Sequence, residues 1–346
     1  MQIISHSKMV LILLLIFFTG SQNIYSQNVS KTGTTAASFL EIGVGAAANG
    51  MGGAFVARAN DASALYWNVG GIASHTENEA ILVHTDWLAD TRFDYAGLIL
   101  SLGDFGNLGF SFTSLSMGDM KVRTVEQPEG TGEYFSAGDI AVGVSYARFL
   151  TDRFSVGITG KFIQQSIWHM SAIAFAFDAG TIFRTDLLGG MTIGATLANF
   201  GTPMRLEGRD ARYFIRIDET KQGSNENIPV DIELDSWDLP LYFQIGVSSP
   251  VVNVDNYKLT VSADALVPNN DYQSLNVGAE FTFMDVLSLR GGYNSLFLQD
   301  SEGGLTFGVG VNSQMLLSVA TVYFDYAYRD FGRLNNVHNF SIGIKF

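Results

Sequence analysis

Cysteine is absent from all 346 residues, which excludes disulfide frameworks, zinc knuckles, thiol catalysis and a lipidated N-terminal cysteine together. Charge is scarce: 16% of residues are charged, against roughly 25% in a typical soluble domain. Basic side chains are the rarer kind, 20 against 34 acidic ones for a formal charge of −14. A nucleic-acid partner would need a basic footprint, so none is expected. Only 6 prolines occur, and beyond the N-terminus no stretch approaches the about 18 uninterrupted apolar residues of a membrane helix. What the chain does have is 47% hydrophobic residues, 37 glycines and 26 phenylalanines. So apolar and aromatic a chain can bury ample surface and is not expected to be disordered.

The N-terminus has the layout of a secretory signal peptide. Lys8 supplies a positive start, Met9 to Thr19 form an apolar core of eleven residues, and Ile24-Tyr25-Ser26 places a small residue before Gln27. Residues 1–26 are therefore expected to be removed, giving an exported chain.

From about residue 78 the pattern has period two. Phe340, Ile342, Ile344 and Phe346 alternate with Ser341, Gly343 and Lys345; Leu305, Phe307, Val309 and Val311 alternate with Thr306, Gly308 and Gly310. Leu275, Val277, Ala279, Phe281 and Phe283 likewise alternate with Asn276, Gly278, Glu280 and Thr282. Successive strand side chains point to opposite faces, so each segment has one greasy face and one small or polar face. Fourteen such segments are predicted, near 78–87, 92–102, 106–115, 138–148, 153–166, 170–183, 190–199, 239–248, 257–267, 271–283, 286–295, 303–312, 316–328 and 337–346.

A sandwich or propeller would solvate its second face with Lys and Glu. Here that face is mostly Gly, Ser, Thr, Ala and Asn, as a crowded barrel lumen would be, while the apolar face suits lipid. The expected fold class is therefore all-β: a transmembrane antiparallel β-barrel of about fourteen strands. Tyr323, Phe324, Tyr326, Tyr328, Tyr242 and Phe243 gather near strand ends, as in aromatic girdles. Taking the C-terminal strand end as periplasmic puts both long connections, 116–137 and 200–238, in the extracellular class. All six prolines fall in loops or at strand starts, sparing the hydrogen-bonded wall.

Residues 27–77 are Gly- and Ala-rich and too irregular for spanning strands. They are expected to form a small N-terminal plug containing short helices, ahead of a barrel over 78–346. Phe39, Leu40, Phe55, Leu65, Tyr66 and Trp67 call for burial, against the barrel or around a hydrophobic ligand. Asn60 to Asn68 reads as a short helix with Asp61 near its N-cap, stopped by Gly70-Gly71. Gly50, Gly52 and Gly53, around Met51, permit tight backbone turns.

Gly43-Val-Gly-Ala-Ala-Ala48 imitates a dinucleotide fingerprint, but no βαβ unit follows to hold a pyrophosphate. The five histidines, His6, His75, His84, His169 and His338, show no metal spacing. No local nucleophile motif appears. Neither enzyme activity nor a cofactor is expected.

Two stretches carry a family resemblance. Lys31 to Ala57 (KTGTTAASFLEIGVGAAANGMGGAFVA) and Asn60 to Asn68 (NDASALYWN) resemble the opening of the PorV/PorQ family, within the wider FadL-like outer-membrane barrels. Ala198 to Leu206 is similar to a later part of it. One departure is clear: the family commonly follows the asparagine with proline, where this chain has Asn68-Val69-Gly70-Gly71. Asp61 and Asn68 carry over as structural positions.

The resemblance implies an outer-membrane barrel of a Gram-negative bacterium, in contact with outer-membrane lipid and working with the type IX secretion system. Its implied partners are the C-terminal signal domains of secreted cargo proteins and other secretion-system components. The FadL-like relationship implies an alternative, transport of hydrophobic small molecules.

Two sets of polar residues are candidates for a working site. Asp264, Glu280 and Arg290 project inward from three consecutive strands and could form one network, tethering the plug or serving a ligand. In the connection 200–238, Arg205, Arg209, Arg212 and Arg216 precede Asp218, Glu219, Glu226, Asp231, Glu233, Asp235 and Asp238. Such charge separation along a loop can orient a folded partner.

Overall fold

The computed structural model describes residues 33–216, 220, 227–298, 301–313 and 320–346. The expected signal peptide lies outside them. Fourteen long strands form one antiparallel wall: β1 Glu79–Trp87, β2 Thr91–Ser101, β3 Asn107–Ser116, β4 Ala137–Thr151, β5 Phe154–Ile167, β6 Met170–Arg184 and β7 Thr192–Gly201. The second half continues with β8 Tyr242–Val254, β9 Tyr257–Pro268, β10 Ser274–Phe283, β11 Leu287–Leu296, β12 Leu305–Asn312, β13 Thr321–Asp330 and β14 Asn336–Lys345. Each strand pairs with its sequence neighbours, and β1 pairs with β14 from Glu79 opposite Lys345 to Asp86 opposite His338. The sheet is thus closed and has no free edge to manage.

The alternation sorts as a lipid-embedded barrel requires. Phe340, Ile342 and Ile344 on β14 and Phe307, Val309 and Val311 on β12 are exposed outward, a continuous apolar belt that water would not tolerate. Asn339, Ser341, Thr306, Asn276 and Glu280 are buried inward. No helix among the described residues is long and apolar enough to cross a membrane; strands do the crossing. Two expected girdle residues belong elsewhere: Tyr242 and Tyr323 occupy inward register positions and are buried, whereas Phe243 and Phe324 face out.

Residues 33–77 fill the lumen. They contain two short helices, α1 Ala46–Gly50 and α2 Ala64–Trp67, and 3-10 turns at Ser38–Glu41 and Val69–Ser74. Their apolar side chains meet an unexpectedly apolar stretch of inner wall. Phe39, Leu40, Leu65 and Ile72 share a core with Ile81 and Val83 of β1 and Phe93, Tyr95 and Ile99 of β2. A second cluster joins Met51, Phe55 and Trp67. Each large side chain so buried stabilises the assembly by roughly 1.5–3 kcal/mol.

Elsewhere the segment's backbone docks directly on the wall, which needs glycine. A Cβ on Gly157 of β5 would lie 2.7 Å from the Val69 carbonyl, and one on Gly278 of β10 would strike the Met51 backbone. Replacing Gly278 with valine is expected to leave the closed barrel, seen as heat-modifiable migration on gels, but to expose residues 33–77 to limited proteolysis. An unchanged digestion pattern would contradict this docking.

Candidate functional site

The motif residues build the inner segment's joints. Gly52 and Gly53 have φ of 67° and 78°, the left-handed turn that lets Met51 bury fully. Gly50 approaches β12 so closely that a Cβ would lie 2.9 Å from Gly308 Cα. Asn68 is wholly buried. Its Oδ1 accepts from Gly70 N at 3.0 Å, and its Nδ2 donates to Val56 O and Thr181 O, each at 2.9 Å. One side chain therefore joins two parts of the segment to β6. It also caps the 3-10 turn that contains Gly70 and Gly71, so α2 stops at Asn68 and not at the glycines.

Asp61 precedes the helix start: it accepts from Ser63 N at 2.8 Å and Ser63 Oγ at 2.5 Å, while Ser63 holds the N-cap position. Burial, and the charge of Glu79, push the Asp61 carboxyl above its usual range. Glu79 in turn accepts from Ala62 N at 3.0 Å and from Tyr323 Oη at 2.6 Å.

The three luminal candidates separate into two anchors. Glu280 bridges Arg58 of the inner segment and Arg290, whose Nε donates at 2.7 Å, and Arg290 Nη1 reaches Asp325 at 2.5 Å. Asp264 stands apart, accepting from Val56 N at 2.8 Å and Gln244 Nε2 at 3.1 Å. Both anchors end on the inner segment. Arg58 and Asp325 were not singled out from sequence: Arg58 sits in irregular chain, whereas Asp325 alternates with the outward Phe324 on one strand, which is an inward-register signal.

The apparent dinucleotide fingerprint has no room for a phosphate. Gly45 precedes a helix of five residues, and the first helical amide, Ala46 N, already donates to Ser341 Oγ at 2.7 Å. Of the residues expected around a hydrophobic ligand, Phe39, Leu40, Leu65 and Tyr66 border a cavity of only about 20 Å³, room for roughly one water, while Tyr66 and Trp67 also border one of about 150 Å³.

The β7–β8 connection is a folded projection. Met204 and Trp237 pair at its base, Glu207–Gly208 pairs with Met170–Ser171 of β6, and Arg212–Ile215 forms a two-stranded ribbon with Ile228–Asp231. Asp218, Glu219 and Glu226 lie outside the described residues. Folding the chain back brings its charges together. Arg205 donates to Glu207 and Glu233, both at 2.8 Å, and Arg212 to Asp231 at 3.1 Å. Arg209 and Asp210 both contact His169, the latter at 3.0 Å. Arg216 is exposed at the ribbon's far end. Among the described residues, Arg205 and Arg212 of the first half are thus paired with Glu233 and Asp231 of the second.

The ribbon's apolar residues are not covered. Tyr213, Phe214 and Ile215 are 56%, 65% and 42% exposed, although consecutive strand residues face opposite ways. The connection 117–136 carries its own small ribbon, Met120–Lys121 with Tyr134–Phe135. Phe135 lies 6.4 Å from Trp168, which stacks on His169 at 4.4 Å. The turn between β5 and β6 therefore ties the two long connections into one surface.

A family model described as type IX secretion system protein PorV matches residues 25–236. The chain belongs to the PorV family. Among solved structures, the chain is similar in fold to several hydrocarbon transporters and channels. The Pseudomonas putida toluene transporter TodX aligns at a TM-score of 0.54 and 11% identity, over 88% of this chain and 97% of that one. The Ralstonia pickettii toluene transporter TbuX gives 0.53 and 12% over the same shares, and the CymD monoaromatic hydrocarbon channel 0.52 and 12%, again over 88% and 97%. At such identities the likeness is one of fold. No match is found among curated protein sequences.

Arg290→Ala would leave Asp325 without its cation and Glu280 with Arg58 alone. Breaking one partner of a buried pair costs about 3–5 kcal/mol. The variant is expected to lower the temperature at which the folded gel band converts to the unfolded one and to sensitise the inner segment to protease. Unchanged digestion would show that this network does not tether it.

Proposed function

We propose that this PorV-family barrel captures secreted cargo proteins at the cell surface, holding their C-terminal signal domains during type IX secretion and surface attachment. The end of the barrel bearing β7–β8 faces outward in this reading, and the barrel wall is the membrane anchor. The observation that carries it is the uncovered ribbon. An isolated two-stranded hairpin is marginal in water, and this one presents Tyr213 and Phe214 on opposite faces with neither buried. Aromatic side chains so displayed are typical anchors of protein interfaces. A strand pair also offers backbone groups to which a β-rich partner can add a strand. The arginines act by holding the ribbon's shape: Arg205 and Arg212 cross-link its two halves and Arg209 pins it to the β5–β6 turn, with Arg216 nearest the partner.

The runner-up, passage of hydrophobic small molecules, draws on the fold shared with the toluene transporters. It needs an apolar site between inner segment and wall: the cavity beside Leu40 and Leu65 holds only about 20 Å³, and the one beside Trp67, about 150 Å³, is bordered by Arg329, Glu41 and several amides and falls below the usual size of a ligand pocket.

Replacing 206–236 with a short Gly-Ser linker should leave a heat-modifiable barrel in outer-membrane fractions while cargo is lost from pull-downs. A double change, Tyr213→Ser with Phe214→Ser, should weaken capture by at least about tenfold if two aromatic anchors are removed. Normal cargo capture by both variants would overturn the proposal. Loss of hydrophobic-solute uptake with secretion intact would favour the transporter.

A further inference from the structure

A cavity of about 150 Å³ lies between the inner segment and the wall, bordered by Trp67, Tyr242, Leu266, Asn294 and Arg329. Tyr242 begins β8, Leu266 and Arg329 come near the ends of β9 and β13, and Asn294 lies in the last third of β11, so the cavity sits at the long-loop end of the barrel. Arg329 is the unusual member. It is 9% exposed, yet no carboxylate of the described residues lies within ion-pair distance. Its Nη1 donates to Asn49 Oδ1 at 3.3 Å, and its guanidinium rests against the rings of Phe331, 4.8 Å away, and Trp87, 5.9 Å away.

The other inward cations are treated differently. Lys161 lies 2.6 Å from Asp178, and Arg290 has both Glu280 and Asp325. A guanidinium has five N–H donors in a planar fork, and buried charges are ordinarily paired because desolvation is costly. One neutral amide and two ring faces do not meet that demand. Glu41 also borders the cavity but is engaged by Asn270 Nδ2 at 3.2 Å. Burial and the nearby Asp271 push its carboxyl above its usual range.

We infer that this cavity is a binding site for a carboxylate on a compact apolar stem, with Arg329 as its counter-ion and Trp67, Tyr242 and Leu266 around the stem. Its volume is below the roughly 300–1,000 Å³ of drug-sized ligand pockets. The occupant is therefore a small organic acid or the terminal carboxylate of a polypeptide entering from the long-loop side. A bidentate guanidinium–carboxylate contact supplies both the charge and the planar geometry. The site is built from wall and inner segment alone and does not depend on the ribbon's role.

The test uses the full chain in detergent, with 4-fluorobenzoate as probe and 4-fluorobenzyl alcohol as its uncharged analogue, each followed by fluorine NMR line broadening. Saturable broadening of the benzoate is expected, with the alcohol much weaker. Arg329→Gln should weaken benzoate binding by about tenfold or more, the loss of a charge-assisted hydrogen-bonded pair. Leu266→Trp keeps the cation but fills the cavity, and should also abolish binding, which covers the case in which Arg329→Gln does not fold. Competition by a pentapeptide with a free C-terminus, but not by its amide, would support the site and assign it to chain ends. Competition by neither would support it as a small-acid site. Equal binding of benzoate and alcohol, equal competition by both peptides, or benzoate binding unchanged in both variants would overturn the inference.

Discussion

The inside of this molecule depends on how closely one irregular stretch of backbone approaches the barrel wall. A closed fourteen-stranded sheet leaves a lumen that must be filled, and here residues 33–77 fill it with main chain pressed on main chain. Glycines on both sides make that contact possible: Gly50 lies against Gly308, and Gly157 and Gly278 receive Val69 and Met51. Backbone brought so near a wall has to satisfy its own polar groups. Asn68, Asp264 and Ser341 do this from both sides, each bonding across the boundary between segment and barrel.

Charge then strengthens the docking. Arg58, Glu280, Arg290 and Asp325 form an ion cluster that crosses from the inner segment to β10, β11 and β13. Buried ion pairs add little net stability over apolar packing, but breaking one is costly. Such a cluster favours one seating of the segment over others. An inner segment held in this way is a wall component, and at the long-loop end aromatic side chains stand uncovered on the ribbon.

Much of this was legible in the sequence, for physical reasons that differ from residue to residue. Period-two alternation marks a two-faced sheet, so Phe307 and Ile342 outward and Thr306 and Ser341 inward followed directly. Glu280 and Arg290 were readable from register, because three inward charges on neighbouring strands must meet something. What alternation cannot tell is what the inner face touches. Tyr242 and Tyr323, read as girdle residues, occupy inward positions, and Phe93 and Ile99 are inward because the segment's own apolar side chains lie against them. Arg58 was missed because irregular chain has no register. The arginine–acid separation in 200–238 was a property of the chain written out straight. A ribbon folds its first half onto its second, so Arg212 faces Asp231. The expected signal peptide and Asp218, Glu219 and Glu226 lie outside the described residues.

The absence of cysteine allows the central claim, a fixed inner segment with work done at the outer surface, to be tested cleanly. Ser341 Oγ lies 2.7 Å from the Ala46 amide, so paired Ala46→Cys and Ser341→Cys changes would lock α1 to β14 by a disulfide with no competing thiols. The measurement is cargo secretion and surface attachment by the oxidised variant, compared with the same cells under reducing conditions. The account predicts equal secretion in both states. Secretion lost on oxidation and restored on reduction would contradict it, because the segment would then have to move for the protein to work.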